Sequence, residues 1–213
     1  MSRASFPRFE SKILPVIVLQ SVEEAVPLAH AMREGGIDVL EITLRSKAGL
    51  PAIEAIAKAV PEVVVGAGTV LTPDDLAAAK NAGAQFALSP GATPELLAAG
   101  QACGIPFVPG VMTPSEAMSA LAAGFELLKL FPASQAGGLG MLRAMAGPFP
   151  QCRFCPTGGI TLENFGAFLA LPNVAMVGGS WLTPPNMVQT KDWAGLRRLA
   201  QQATDETRRA QTL

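Results

Sequence analysis

The chain has 213 residues, a formal net charge of −1, 49% hydrophobic residues and only 15% charged ones. This length fits one large domain and buries a sizeable core, while the lack of a Lys/Arg cluster in its interior argues against nucleic acid as the main partner. Globular domains typically carry about 25% charged residues, so the sparse surface is consistent with burial of part of it against other subunits.

In chain order, Met1 to Lys12 is polar and mixed and lacks the apolar core of a signal peptide. Its Ser2–Ser11 segment is expected to form an extra helix before the first strand. Short apolar runs follow and read as strands at Ile13–Leu19, Val39–Leu44, Val63–Ala67, Phe86–Ser89, Phe107–Pro109, Leu127–Phe131, Phe154–Thr157 and Val174–Val177. The first of these is too short to span a bilayer, and a cytoplasmic location is expected. Helical patterns lie between the strands, among them Val22–Glu34, Ala48–Val60, Pro73–Asn81, Pro94–Ala102 and Pro114–Ala123.

Three helices carry a start signal. Thr72-Pro73, Thr93-Pro94 and Thr113-Pro114 each put Thr at the N-cap and Pro at the first helical position. Acidic residues follow in the first turn, where the helix dipole favours them. Gly35, Gly83, Gly104 and Gly124 fall where helices should stop. The segment from Trp193 to Arg209 reads as the last helix. Eight strand–helix units with strands apolar on both faces predict a (β/α)₈ TIM barrel over 1–213 as a single domain, with doubly wound sheets as the main alternative.

The most informative residue is Lys129, set in Phe125-Glu126-Leu127-Leu128-Lys129-Leu130-Phe131-Pro132. Burying an unpartnered ammonium is costly, and shedding the proton is the usual escape. The neutral amine is then a nucleophile able to form a Schiff base with a carbonyl. A lysine that snorkels to water or pairs with a buried carboxylate is the structural alternative.

Barrel active sites lie at the C-terminal ends of the strands. Alternation along Val39–Arg45 puts Glu41, Thr43 and Arg45 on one face, with Glu41 inside the barrel and Arg45 at its rim, about 13 Å apart at roughly 3.3 Å per residue. Gly66-Ala67-Gly68-Thr69 ends the third strand with two glycines that allow close backbone approach to a ligand. Cys155-Pro156-Thr157-Gly158-Gly159 and Val177-Gly178-Gly179-Ser180 each end a strand in a double glycine. Loops after the last two barrel strands recurrently bind phosphate, and glycine leaves their N–H groups free to face an anion.

The remaining conspicuous residues read as packing. The single histidine, His30, is structural or exposed, and Trp181 and Trp193 pack or contact other subunits. Of three cysteines, Cys152 and Cys155 form a C-x-x-C without a second pair, so neither zinc nor a disulfide framework is expected. No aspartate cluster or Ser–His–Asp set is apparent.

These blocks together resemble the KDPG (2-dehydro-3-deoxyphosphogluconate) aldolases, which are class I aldolases of the Entner–Doudoroff pathway. The carriers are Glu41–Arg45, Gly66–Val70, Ser89-Pro90-Gly91, Pro109-Gly110-Val111, Leu128–Ala133, Pro156–Ile160 and Gly178-Gly179-Ser180. The resemblance implies a homotrimer of barrels that cleaves KDPG to pyruvate and glyceraldehyde 3-phosphate without cofactor or metal. It also implies activity on 4-hydroxy-2-oxoglutarate (KHG). Lys129 would form the Schiff base and Glu41 move protons. Arg45 and Thr69 would hold the pyruvate carboxylate. Gly158, Gly159, Gly179 and Ser180 would hold the phosphate, while Pro90, Phe131 and Thr157 shape the pocket. The expected partners are small molecules, with neither nucleic acid nor membrane involved. The alternatives are a 2-dehydro-3-deoxy-6-phosphogalactonate aldolase, acting on the C4 epimer, a non-catalytic sugar-phosphate-binding barrel, and a phosphate-binding barrel isomerase or epimerase.

Overall fold

The computed structural model describes residues 6–211, and in it the apolar runs become parallel strands buried on both faces. The first is β1 (Ile13–Ile17), which takes its place between β2 (Val39–Thr43) and β9 (Val177–Gly179). Every residue of β1 and β2 is buried, as expected of strands covered by helices outside and side chains inside. β3 (Val64–Gly68), β4 (Ala87–Leu88) and β5 (Phe107–Val108) extend this ladder in the order β5-β4-β3-β2-β1-β9.

A second ladder runs β6 (Gly110–Val111), β7 (Leu127–Leu130), β8 (Arg153–Pro156). The two ladders meet on both sides. β5 continues into β6 through Pro109, whose carbonyl accepts from the Lys129 N–H at 2.9 Å and whose nitrogen has no hydrogen to give β4. On the other side, Thr157 bridges Gly178 and Phe154 bridges Val174. The result is a closed (β/α)₈-like barrel in which β5 and β6 are one strand interrupted by proline.

The outer helices are α1 (Ala25–Glu34), α2 (Gly49–Ala59), α3 (Pro73–Asn81), α4 (Pro94–Ala102), α5 (Pro114–Ala122), α6 (Gly138–Ala146), α7 (Phe165–Leu169), α8 (Pro185–Gln189) and α9 (Trp193–Gln211). The three Thr-Pro starts act as read. Thr72, Thr93 and Thr113 accept from the N–H groups of Asp75, Leu96 and Glu116, and Asp75 and Glu116 return the bond to the cap N–H. Such a cap is worth about 1 kcal/mol. At the end of α1 the left-handed residue is Gly36 (φ +89°) rather than Gly35.

Two expectations need correction. No helix occupies residues 6–11, which run irregularly, and Ser2–Ser5 lie outside the described residues. Phe6 instead packs on Phe86 at 5.2 Å and on Phe9 at 5.8 Å between ring centroids. These rings join Leu14, Val39, Leu88, Val108, Cys155 and Met176 in the barrel's inner cluster. Phe6 and Phe9 precede β1, so they stop the barrel from its N-terminal end and leave its chemistry to the opposite mouth. The last strand also begins at Val177, not Val174. Val174 contributes only an isolated bridge to Phe154.

Candidate active site

Two charges meet in the interior. The Lys129 ammonium donates to Glu41 Oε1 at 2.8 Å, with side chains 3% and 0% exposed. The premise of an unpartnered lysine therefore does not hold: Glu41 from β2 supplies its counter-charge across the barrel. The other oxygen, Glu41 Oε2, is buried without a hydrogen-bond partner among the described residues. An acceptor left unpaired in such a place is expensive. The Phe131 ring centroid lies 5.6 Å from Lys129 Nζ.

Glycine makes this pair fit. A Cβ on Gly68 would come within 2.1 Å of Glu41 Oε1, and one on Gly66 within 2.3 Å of the Phe86 ring. The close approach at the end of β3 thus accommodates the Glu41 and Phe86 side chains. Cys155 pairs with Lys129 in the β7–β8 register. Burial pushes its thiol up to about 12, with Lys129 pulling down and Glu41 pushing up by lesser amounts. It stands beside the charges as a neutral group.

Above the pair, Arg45 is exposed at the rim, as alternation predicted, and its Nε donates to Thr69 Oγ1 at 3.1 Å. Thr69 has φ +59°, a left-handed conformation that is unfavourable for a β-branched residue. Thr43, on the same strand face as Glu41, is buried, and its hydroxyl donates to Ile17 O at 2.9 Å. Pro90 is half-buried in the β4 loop, with its carbonyl 2.4 Å from where a Cβ on Gly110 would lie.

On the side of β8 and β9, Gly158 (φ +99°) and Gly159 (φ +76°) adopt conformations natural only to glycine. The second double glycine has packing causes. A Cβ on Gly178 would lie 2.2 Å from Thr157 Oγ1, and one on Gly179 would enter the Trp181 ring at 1.8 Å. Trp181 stacks on Phe165 at 5.9 Å, which agrees with its reading as a packing residue. Thr157 is buried and Ser180 exposed. His30 is exposed, and Cys152 and Cys155 are buried free thiols. Among the described residues no group of three or more His, Cys, Asp or Glu could hold a metal ion, and no helix is long and apolar enough to cross a membrane.

The KDPG and KHG aldolase family model matches residues 8–199. The chain belongs to this family. The KHG/KDPG aldolase of Escherichia coli K12 is 49% identical over 193 residues, 91% of each chain. A KDPG aldolase from Legionella pneumophila, solved with pyruvate captured at low pH as a covalent carbinolamine intermediate, is 48% identical with a TM-score of 0.88, covering 90% of this chain and 93% of that one. A native KDPGal structure has a TM-score of 0.87 at 27% identity, covering 98% and 100%. Within this aldolase family, Ser134 is a residue the sequence reading missed; it lies against Gly159 in the folded chain, a relationship between distant positions that no local pattern reveals.

Proposed function

We propose that the chain is a class I, Schiff-base aldolase, a lyase that cleaves KDPG to pyruvate and glyceraldehyde 3-phosphate and KHG to pyruvate and glyoxylate. The observation that carries this reading is the buried Lys129–Glu41 pair inside the barrel of a KDPG and KHG aldolase family member. A sugar-phosphate-binding barrel without chemistry has no use for a desolvated ion pair, which is weak evidence for stability. Greater identity to the KDPG aldolase than to the KDPGal structure favours the gluconate substrate over its C4 epimer.

The chemistry follows from the two groups. Glu41 takes a proton from Lys129 as substrate displaces their contact, and the neutral amine attacks the C2 ketone. The carbinolamine hydroxyl leaves as water on taking a proton from Glu41, giving an iminium. The restored carboxylate removes the C4 hydroxyl proton, directly or through one water. The C4–O electrons form the aldehyde, and the C3–C4 electron pair passes into the iminium to give an enamine. Protonation at C3 and hydrolysis release pyruvate and return Lys129. The iminium is the electron sink, so no step asks for a metal or cofactor.

Arg45 and Thr69, linked to each other at the rim, would hold the carboxylate of the pyruvyl portion. Pro90, Phe131 and Thr157 would shape the pocket. Gly158 and Gly159, with Gly179 and Ser180, would hold the phosphate through backbone N–H groups and a hydroxyl. We further take residues 1–213 as one barrel domain that acts as a cytoplasmic homotrimer. The deciding experiment is borohydride reduction with pyruvate followed by peptide mass mapping. One reduced pyruvyl group on the Lys129 peptide is expected, and labelling mainly at Lys12, Lys47 or Lys80 would refute the assignment. Analytical ultracentrifugation tests the trimer.

A further inference from the structure

Ser134 follows β7 closely and is tied to the loop after β8 by its backbone. Its N–H donates to Gly158 O at 3.0 Å, and the Ala133 N–H donates to Thr157 O at 2.8 Å. Its side chain reaches Gly159: a Cβ on that glycine would lie 2.0 Å from Ser134 Oγ and 2.6 Å from Ser134 Cβ. Residue 134 is exposed, so a solute can reach it. Its hydroxyl forms no hydrogen bond to protein among the described residues. The turn therefore sets an unspent hydroxyl rotor against a left-handed glycine pair at one rim of the barrel mouth.

We infer that Ser134 is a specificity-determining residue for the phosphorylated substrate, its hydroxyl donating to a phosphate oxygen held on the Gly158–Gly159 turn. This rests on the reading of that turn as the phosphate site. Successive backbone N–H groups of a turn can face an anion, and a serine hydroxyl adds a donor that rotates to suit. A phosphate has more acceptor positions than two or three N–H groups satisfy. The β7 loop supplies the further donor, so the same strand that carries Lys129 also reads the far end of the substrate. The contact also explains why position 159 admits no side chain: any Cβ would occupy the space of the Ser134 hydroxyl.

The test is side-by-side kinetics on KDPG and KHG, which lacks a phosphate, for wild type, Ser134→Ala, Ser134→Thr, Ser134→Asp, Gly159→Val and Ser180→Ala. Ser134→Ala should lower kcat/KM for KDPG by about 3- to 10-fold, mainly through KM, in keeping with loss of one modest hydrogen bond. Its kcat/KM for KHG should move less than about twofold. Ser134→Thr should restore part of the loss, and Ser134→Asp should exceed it by repelling the phosphate. Equal losses on both substrates, or no loss on KDPG while Gly159→Val and Ser180→Ala do lose selectivity, would overturn the role of Ser134 alone. If those two also leave KDPG selectivity untouched, the phosphate reading fails and takes this inference with it.

Discussion

Gly68 occupies the one position in β3 where a side chain would strike the Glu41 carboxylate, with a Cβ there falling 2.1 Å from Oε1. The glycine lets Glu41 stand upright between β2 and β7 and meet Lys129 at 2.8 Å. Gly68→Ala is therefore expected to move the carboxylate more than it disturbs the strand, since Gly68 already lies in regular β3 backbone. Misplacing a catalytic group by about 1 Å can cost on the order of 100-fold. We expect a loss of that order in kcat, with pyruvate trapping on Lys129 slowed in parallel, read by steady-state kinetics and a borohydride time course.

Lys129→Ala is expected to abolish trapping and to lower turnover by several orders of magnitude. It also leaves Glu41 buried and unpaired, and breaking a buried pair on one side costs about 3–5 kcal/mol. Lys129→Met keeps more of the volume and serves as the comparison. Both variants should be inactive, so thermal unfolding separates chemistry from stability. EDTA should leave wild-type turnover unchanged, because the iminium does the work assigned elsewhere to a metal.

Glu41→Gln keeps the shape of the carboxylate and removes its capacity to accept a proton. General acid–base groups typically contribute about 10²–10⁴-fold, and the loss should fall in kcat rather than KM. A normal kcat with a raised KM would reassign Glu41 to substrate binding.

Part of this arrangement was legible because strand residues fall on a period that sequence exposes. Alternation from Glu41 to Arg45 correctly separated a buried acid from an exposed base, and the Thr-Pro starts located three helices by cap chemistry. The partner of Lys129 was not legible, since Glu41 is 88 positions away and only barrel closure brings the two together. The same holds for Ser134 against Gly159 and Cys155 beside Lys129. α6 carries no polar start signal: its N-cap is Gly137 at φ +99°. The N-terminal segment misled because its polar mixture resembles a surface helix, whereas Phe6 and Phe9 are drawn into the barrel floor by apolar burial.

Cys155 offers a check on how dry that interior is. Its thiol is pushed up to about 12 from an ordinary value of 9.0, mainly by burial. Below about pH 8 it stays protonated in folded and unfolded chains alike, so it contributes no pH dependence there. From about pH 8 up to pH 12 the unfolded chain releases the proton and the folded one keeps it, so the unfolded state binds fewer protons and stability falls as pH rises. Cys155→Ala should flatten that alkaline decline in denaturant midpoints. Iodoacetamide at pH 8 should leave Cys155 unmodified in the folded protein while labelling it in denaturant. Rapid labelling under native conditions would mean that the barrel floor opens.

Thr69 stores backbone strain at the rim. At φ +59° a left-handed residue with a Cβ costs about 1–2 kcal/mol, and its hydroxyl accepts from Arg45 Nε at 3.1 Å. Strain of this kind persists where the surrounding structure over-determines the backbone, and it clusters at functional sites. Thr69→Gly removes the strain and the hydroxyl together, whereas Thr69→Ala removes the hydroxyl and keeps the strain. Glycine loses roughly 0.5–1 kcal/mol to chain entropy, so Thr69→Gly should match or slightly exceed wild type in Tm and stand above Thr69→Ala. Both should raise KM, by a few-fold to about tenfold for one lost hydrogen bond, and should do so for KDPG and KHG alike because both present the same pyruvyl carboxylate. Equal Tm for the two variants would show that the backbone there is unstrained, and a loss confined to KDPG would move Thr69 from the carboxylate to the phosphate end of the pocket.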